Sequence, residues 1–145
     1  MFANVMDHLD GPLAADLVQE GILDYDRAKR CVWQLGVVKA APCTTHGTVC
    51  LVPWVVLDVS GSPCPPWSTA RRRSLVAPQE HPDTLLLLVW ARVLREDRPY
   101  MAVHENVMGF QVSVMTDLVG DLYDIRVCCV GPEQVGFSII RRPRL

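Results

Sequence analysis

The residues of this chain whose types and spacing suit chemistry fall into three groups. The first is Ser60-Gly61-Ser62-Pro63-Cys64-Pro65-Pro66-Trp67, in which one cysteine stands among three prolines. Cysteine attacks and ligates as the thiolate. Pro63 fixes the backbone immediately before Cys64. The second is Val103-His104-Glu105-Asn106-Val107, where a carboxyl group follows a short apolar run. A carboxyl group beside a thiolate nucleophile can stabilise charge that develops on whatever is attacked. The third is Cys43, His46 and Cys50, spaced Cys-x-x-His-x-x-x-Cys. Zinc usually takes four donors arranged as two close pairs, and the spacing offers only three, so no metal is expected. Beyond Cys64 lie Arg71, Arg72 and Arg73. Guanidinium groups suit bidentate contacts to phosphate, or the triplet is a solvated basic turn.

The elements that must position these residues can be read from periodicity. Residues 12–36 read as helical, with Pro12 in the first turn and Gly21 breaking the segment into two helices. Residues 40–48 read as a loop. Residues 49–59, continuously apolar and β-branched, read as a strand buried on both faces, with Pro53 near its start. A long connection over 60–82 follows, of a length that usually carries function or moves. Residues 82–97 read as a helix, 99–105 as a strand, 108–119 as a helix and 123–130 as a strand. Strand, helix, strand, helix, strand is the signature of an α/β sheet with parallel strands. In such sheets ligands gather at the carboxyl ends of strands, which is where Cys64 and Glu105 fall. Trp33, Trp54 and Trp90 read as core, as do Cys128 and Cys129, and His104 as a satisfied histidine at a strand end.

The totals narrow the class. The chain has 145 residues, half of them hydrophobic, and a formal net charge of −2. That composition supports a folded core and argues against disorder. Residues 1–60 carry four Lys/Arg against seven Asp/Glu. Residues 61–145 carry ten against nine, and all ten are arginine. Six cysteines in a chain this apolar, with no secretory leader expected, suggest free thiols in a reducing compartment. Apolar runs such as 85–91 are too short to span a bilayer, so no membrane role is expected.

Residues 60–68 resemble the Pro-Cys catalytic motif of the DNA cytosine-5 methyltransferases, and residues 103–110 resemble that family's Glu-Asn-Val motif. Cys64 and Glu105 stand 41 positions apart, in the family's order. Residues 138–145 resemble the Gln-x-Arg-x-Arg motif, with Ile140 in place of glutamine and Arg142 and Arg144 as its arginines. The resemblance covers about residues 55–145. It implies transfer of a methyl group from S-adenosylmethionine to carbon 5 of cytosine in DNA. Cys64 would add to carbon 6 of the base and Glu105 would contact ring nitrogen 3. Asn106 would hold the Glu105 turn, and Pro63 the nucleophile's backbone. Arg142 and Arg144 would support the active site. The base must leave the duplex to be reached, and Arg71, Arg72 and Arg73 would touch DNA phosphates, which position without reading sequence. The implied fold is a partial Rossmann-like α/β domain with a mostly parallel sheet, of the S-adenosylmethionine-dependent methyltransferase type.

The expected organisation is an N-terminal helical and loop segment over 1–48 and a partial catalytic domain over 49–145. The family's Phe-x-Gly-x-Gly donor loop and target-recognition region have no counterpart in the sequence, and Pro65 stands where the family has glutamine. The expectation is therefore a truncated or fragmentary member, with a non-catalytic methyltransferase-like fragment as the alternative. Its place would be the nucleus in a eukaryote and the cytoplasm otherwise. Two other thiol chemistries are excluded by order and spacing. A zinc nucleobase deaminase needs His-x-Glu before Pro-Cys-x-x-Cys, and a thioredoxin-like protein needs Cys-x-x-Cys.

Overall fold

A computed structural model describes residues 5–68, 76–131 and 134. The elements in chain order are β1 (Val18–Gln19), β2 (Ile22–Leu23), α1 (Tyr25–Gln34), β3 (Ala40–Cys43), β4 (Thr48–Leu51), β5 (Leu57–Gly61), α2 (Thr84–Asp97), β6 (Met101–Glu105) and α3 (Val112–Val119). Single 3₁₀ turns lie at Val5–His8, Ala15–Leu17, Pro65–Trp67 and Pro78–Glu80. The protein is mixed α/β. Among the described residues the expected mostly parallel sheet is one parallel pair, β5 with β6, beside two antiparallel hairpins, β1–β2 and β3–β4.

α2 is the centre of the fold. Its sequence, TLLLLVWARVLRED, is apolar over most of its circumference, and a helix of that kind has to be enclosed. Leu87, Leu88, Val89 and Ala91 are fully buried and Leu94 nearly so. Leu9, Leu17, Leu23, Ala28 and Val32 from the N-terminal third share this core with Trp67, Trp90, Phe110, Val114 and Leu118. Polar ties brace it. The Arg92 Nε donates to the Leu35 carbonyl at 3.0 Å, fixing the end of α1. Arg95 donates to the Leu118 carbonyl and pairs with both oxygens of Asp121, fixing the end of α3. Arg98, at φ 46°, closes α2 in the left-handed conformation, and Pro99 follows it.

Several sequence expectations give way to local chemistry. The first of the two helices expected over 12–36 is a 3₁₀ turn and a hairpin. Glu20 and Gly21 have φ of 51° and 77°, and the register Val18↔Leu23, Gln19↔Ile22 makes them a two-residue loop of the type that needs positive φ twice. The second helix stands as α1, with the Asp24 carboxylate accepting from the Arg27 N–H. The loop expected over 40–48 is mostly the β3–β4 hairpin, turning through Gly47 at φ 64°. The single strand expected over 49–59 is divided. Pro53 lacks a ladder donor, so β4 ends before it and pairs antiparallel, while β5 starts after it and pairs parallel. Residues 124–129 are irregular rather than a strand, and Cys128 and Cys129 are exposed rather than core.

The run 49–59 is also not buried on both faces. Leu57, Val59, Met101 and Val103 lie on one face of the β5–β6 pair and are exposed, Val59 by 70%. Asp58, Ser60, Ala102 and His104 alternate to the other face, toward α2, where Trp90 Nε1 donates to Asp58 at 3.0 Å. Trp54, expected in the core, is 57% exposed and donates to the Asp97 carbonyl at 2.8 Å. Trp90 is buried and Trp33 packs against the core from its edge. Among the described residues no helix is long and apolar enough to cross a membrane.

This division of faces is measurable by urea unfolding. Leu94→Ala should cost about 2–5 kcal/mol, as large-to-small core substitutions do. Val59→Ala should change stability by less than about 0.5 kcal/mol, as exposed substitutions do. A core-sized loss at Val59 would mean that its face is covered in solution.

Candidate functional site

The parallel register of β5 and β6 runs Leu57↔Met101 to Gly61↔Glu105. Both strands end together, so the segments that leave them start side by side. Gly61 permits this closeness, because a Cβ there would come within 3.1 Å of the Glu105 carbonyl oxygen and 3.5 Å of its carboxylate. Asn106, the next residue and fully buried, then joins the two segments. Its Nδ2 donates to the Ser62 hydroxyl at 2.8 Å and to the Ser62 carbonyl at 3.2 Å. Its Oδ1 accepts from the Val107 N–H at 2.8 Å. The Ser62 N–H in turn donates to His104 Nε2 at 3.1 Å. Two residues of one strand end, His104 and Asn106, thus hold the chain just ahead of Cys64.

Cys64 sits two residues beyond that clamp, half-buried, with helical φ and ψ of −76° and −25°. It caps the turn Pro65–Trp67, whose Trp67 N–H donates to the Cys64 carbonyl at 3.0 Å. Two consecutive prolines at the start of this turn suit its geometry and need no N–H partners. Trp67 anchors the turn. It is buried and meets Phe110 edge-on at 4.8 Å between ring centres. Phe110 is 5.1 Å from the His104 ring, which lies 4.9 Å from Trp90. A Cβ at Gly109 would strike the Trp67 carbonyl oxygen, so that glycine is what allows the two loops to touch.

Cys64 and Pro63 open on a cavity of about 460 Å³, lined also by Ser60, Gly61, Ser62 and His104 and closed by Val5, Leu86 and Trp90. The Ser60 hydroxyl is buried on this wall with no hydrogen-bond partner. Glu105 lies outside the lining, exposed at the end of β6. Burial brings the His104 pKa down to about 4, against the opposing pull of Asp58. The imidazole is therefore neutral at pH 7. Nε2 accepts from Ser62, so Nδ1 carries the proton.

The structure therefore brings Pro63, Cys64, Glu105 and Asn106 to one end of one strand pair. Arg71, Arg72, Arg73, Arg142 and Arg144 lie outside the described residues. Sequence reasoning did not find the Ser62–His104 bond, the Trp67–Phe110 contact or the Gly109 approach. Period-two alternation along MAVHE was the available signal, because it turns His104 inward and Glu105 outward. Cys43, His46 and Cys50 form a second cluster on the β3–β4 hairpin, with His46 Nδ1 3.6 Å from Cys43 Sγ and 3.1 Å from Cys50 Sγ. The backbone N–H of His46, helped by that of Thr45, holds the Cys43 pKa down to about 6, against burial. Burial and then the Cys43 sulfur push the Cys50 thiol up. All six cysteines are without disulfides. No protein-family model, curated protein or solved structure matches the chain.

Two outcomes check this geometry. Asn106→Ala leaves the Ser62 groups and the Val107 N–H without their partner and should cost about 1–3 kcal/mol, measured by denaturant unfolding. For His104 the folded state binds the proton less readily than the unfolded chain. Between pH 6.5 and about 4 the unfolded state therefore holds more protons, and stability falls as pH falls through that window. His104→Gln should flatten the fall, and an equal slope in both proteins would contradict the burial of His104.

Proposed function

We propose that the chain carries the nucleophile-bearing part of a DNA cytosine-5 methyltransferase, in a partial Rossmann-like domain, with DNA as its partner. The observation that carries the reading is the Gly61↔Glu105 register with its Asn106–Ser62 clamp. It sets the Pro-Cys and Glu-Asn-Val segments beside each other at the carboxyl ends of adjacent parallel strands, where open α/β sheets bind ligands. The cavity beside Cys64, with apolar walls and a neutral His104, suits a flat, uncharged base.

In this reading the Cys64 thiolate adds to carbon 6 of a flipped cytosine. A sulfur–carbon bond forms and the carbon 5–carbon 6 double bond opens. Its electron pair moves into the ring, making carbon 5 enamine-like. Glu105 lies at the same strand end but outside the cavity lining, so its side chain would have to turn toward nitrogen 3 to stabilise the charge that develops there. Asn106 positions Glu105 and the Cys64 loop together. Pro63 and the Pro65–Trp67 turn restrict the nucleophile to one backbone conformation, which lowers the entropy lost on reaching an attack geometry.

The methyl donor implied by the resemblance is S-adenosylmethionine. The residues that line the cavity do not fit it. None is a carboxylate able to pair with the donor's ammonium group or accept from its ribose hydroxyls. No methyl-transfer step is derived from them, and the chemistry assigned to this chain is activation of carbon 5.

That activation has a readout that needs no donor. An enamine-like carbon 5 takes a deuteron from heavy water, loses its original hydrogen, and the thiolate leaves. Cytosine-containing single-stranded DNA incubated with the chain should exchange hydrogen at carbon 5. Cys64→Ser should abolish the exchange, and Glu105→Gln should slow it about a hundredfold, within the range of acid–base contributions. No exchange by the intact chain would overturn the catalytic reading in favour of a non-catalytic module of the same fold. Separately, calorimetric titration with S-adenosylmethionine should show no saturable binding.

A further inference from the structure

We propose that Cys43, His46 and Cys50 form a zinc site that staples the β3–β4 hairpin. This inference does not depend on the methyltransferase reading, since it concerns another sheet and another set of thiols. Two thiol sulfurs and an imidazole nitrogen lie within 4.8 Å of one another. Zinc holds sulfur at about 2.3 Å and nitrogen at about 2.0–2.1 Å in tetrahedral geometry, so a sulfur and a nitrogen sharing one ion stand about 3.6 Å apart. Cys43 Sγ and His46 Nδ1 are 3.6 Å apart, and His46 Nδ1 and Cys50 Sγ are 3.1 Å apart. For the two sulfur–nitrogen pairs an ion therefore requires adjustments of about half an ångström at most, within side-chain freedom.

The hairpin explains why the three donors converge. Cys43 pairs with Thr48 at the last rung of the ladder, and Cys50 with Ala41 two rungs back. Residues two apart on one strand point to the same face, so Cys50 and Thr48 share the face of Cys43. The turn between them, with Gly47 at φ 64°, places His46 over both sulfurs. The Gly47 N–H bonds the Cys43 carbonyl at 2.9 Å, closing the turn. The N–H groups of Thr45 and His46 also point at the Cys43 sulfur, an arrangement that suits a metal-bound thiolate. Soft thiolates with imidazole select zinc among the common cellular divalent ions of this geometry, over the oxygen-seeking magnesium and calcium.

A metal also answers a structural need. A lone two-stranded hairpin is marginally stable in water. This one has Val49 and Leu51 exposed, Leu51 by 79%, so side-chain burial contributes little on that face. Binding would form two zinc–sulfur bonds and one zinc–nitrogen bond, and each thiol still protonated would release its proton to solvent. The fourth position is left to a donor outside these three, so the ion is held by one face of the hairpin.

The reduced, metal-free chain titrated anaerobically with Co²⁺ should develop a thiolate-to-cobalt charge-transfer band and the intense visible bands of tetrahedral cobalt, saturating at one ion per chain. Zn²⁺ should bleach both. His46→Ala and Cys50→Ser, at positions outside the core, should lose the bands, while Cys128→Ser, at an exposed thiol elsewhere, should keep them. Amide exchange across the 40–51 ladder should slow when Zn²⁺ is added to the intact chain. Absence of the bands in the intact chain, their persistence in both ligand variants, or a Cys43–Cys50 disulfide in anaerobically purified protein would overturn the proposal.

Discussion

The parallel pairing of β5 with β6 makes two distant pieces of sequence into one place. Two parallel strands cannot be joined by a tight turn, because the chain must return to the starting edge before the second strand begins. Here the return is α2, and its length and apolarity follow from that duty. Fourteen residues carry the chain back across the sheet, and Thr84, Leu87, Leu88, Val89, Trp90, Ala91 and Leu94 bury against everything around them. The helix fixes the strand register through Trp90, whose ring lies against His104 while its N–H holds Asp58. Once Asp58 and His104 are held, Gly61 and Glu105 have no choice of neighbour.

The same pairing explains the economy of the site. His104, Glu105 and Asn106 are consecutive, yet each does something different. His104 turns inward and accepts from Ser62; Glu105 turns outward to solvent; Asn106 leaves the strand and bonds both the Ser62 hydroxyl and carbonyl. Alternation along a strand and its ending supply all three directions. The partner loop is stiffened by another means. Cys64 lies among prolines whose ring constraint needs no partner, and Trp67 supplies the one large buried anchor. A buried neutral histidine and a buried amide are costly unless bonded, so their bonds to Ser62 resist displacement of the loop.

What was legible in the sequence follows from the range of the forces involved. α2, β6 and α3 were readable because their signals are local: a long apolar helix, an alternating pentapeptide, a short apolar helix. The juxtaposition of Cys64 and Glu105 was readable from motif order. The turn at Glu20–Gly21 was not, because it depends on a non-glycine residue taking positive φ, which propensity disfavours. The run 49–59 misled because an apolar β-branched stretch looks the same whether one strand or two. Pro53 decides the matter by its missing N–H, and the pairing partners decide the rest. Exposure was the largest departure. Composition reports that Val59, Leu57 and Val103 are apolar, but whether a layer covers them depends on tertiary arrangement alone.

Cys43 and Cys64 show how local backbone shapes the surroundings of a cysteine. Cys43 ends strand β3 and Cys64 precedes a 3₁₀ turn, and their surroundings differ. Cys43 ends its strand at a turn whose N–H groups converge on its sulfur, with an imidazole and a second thiol at hand. A sulfur so surrounded is suited to sharing charge with an ion, and a metal-bound thiolate is a poor nucleophile because its electron pair is committed. Cys64 is flanked by prolines, which have no N–H to give, and it opens on a cavity with mostly apolar walls. Proline on each side of Cys64 is a mechanical constraint, since each ring fixes its own φ. Cys43, followed by ordinary residues in the turn, has backbone donors at its sulfur.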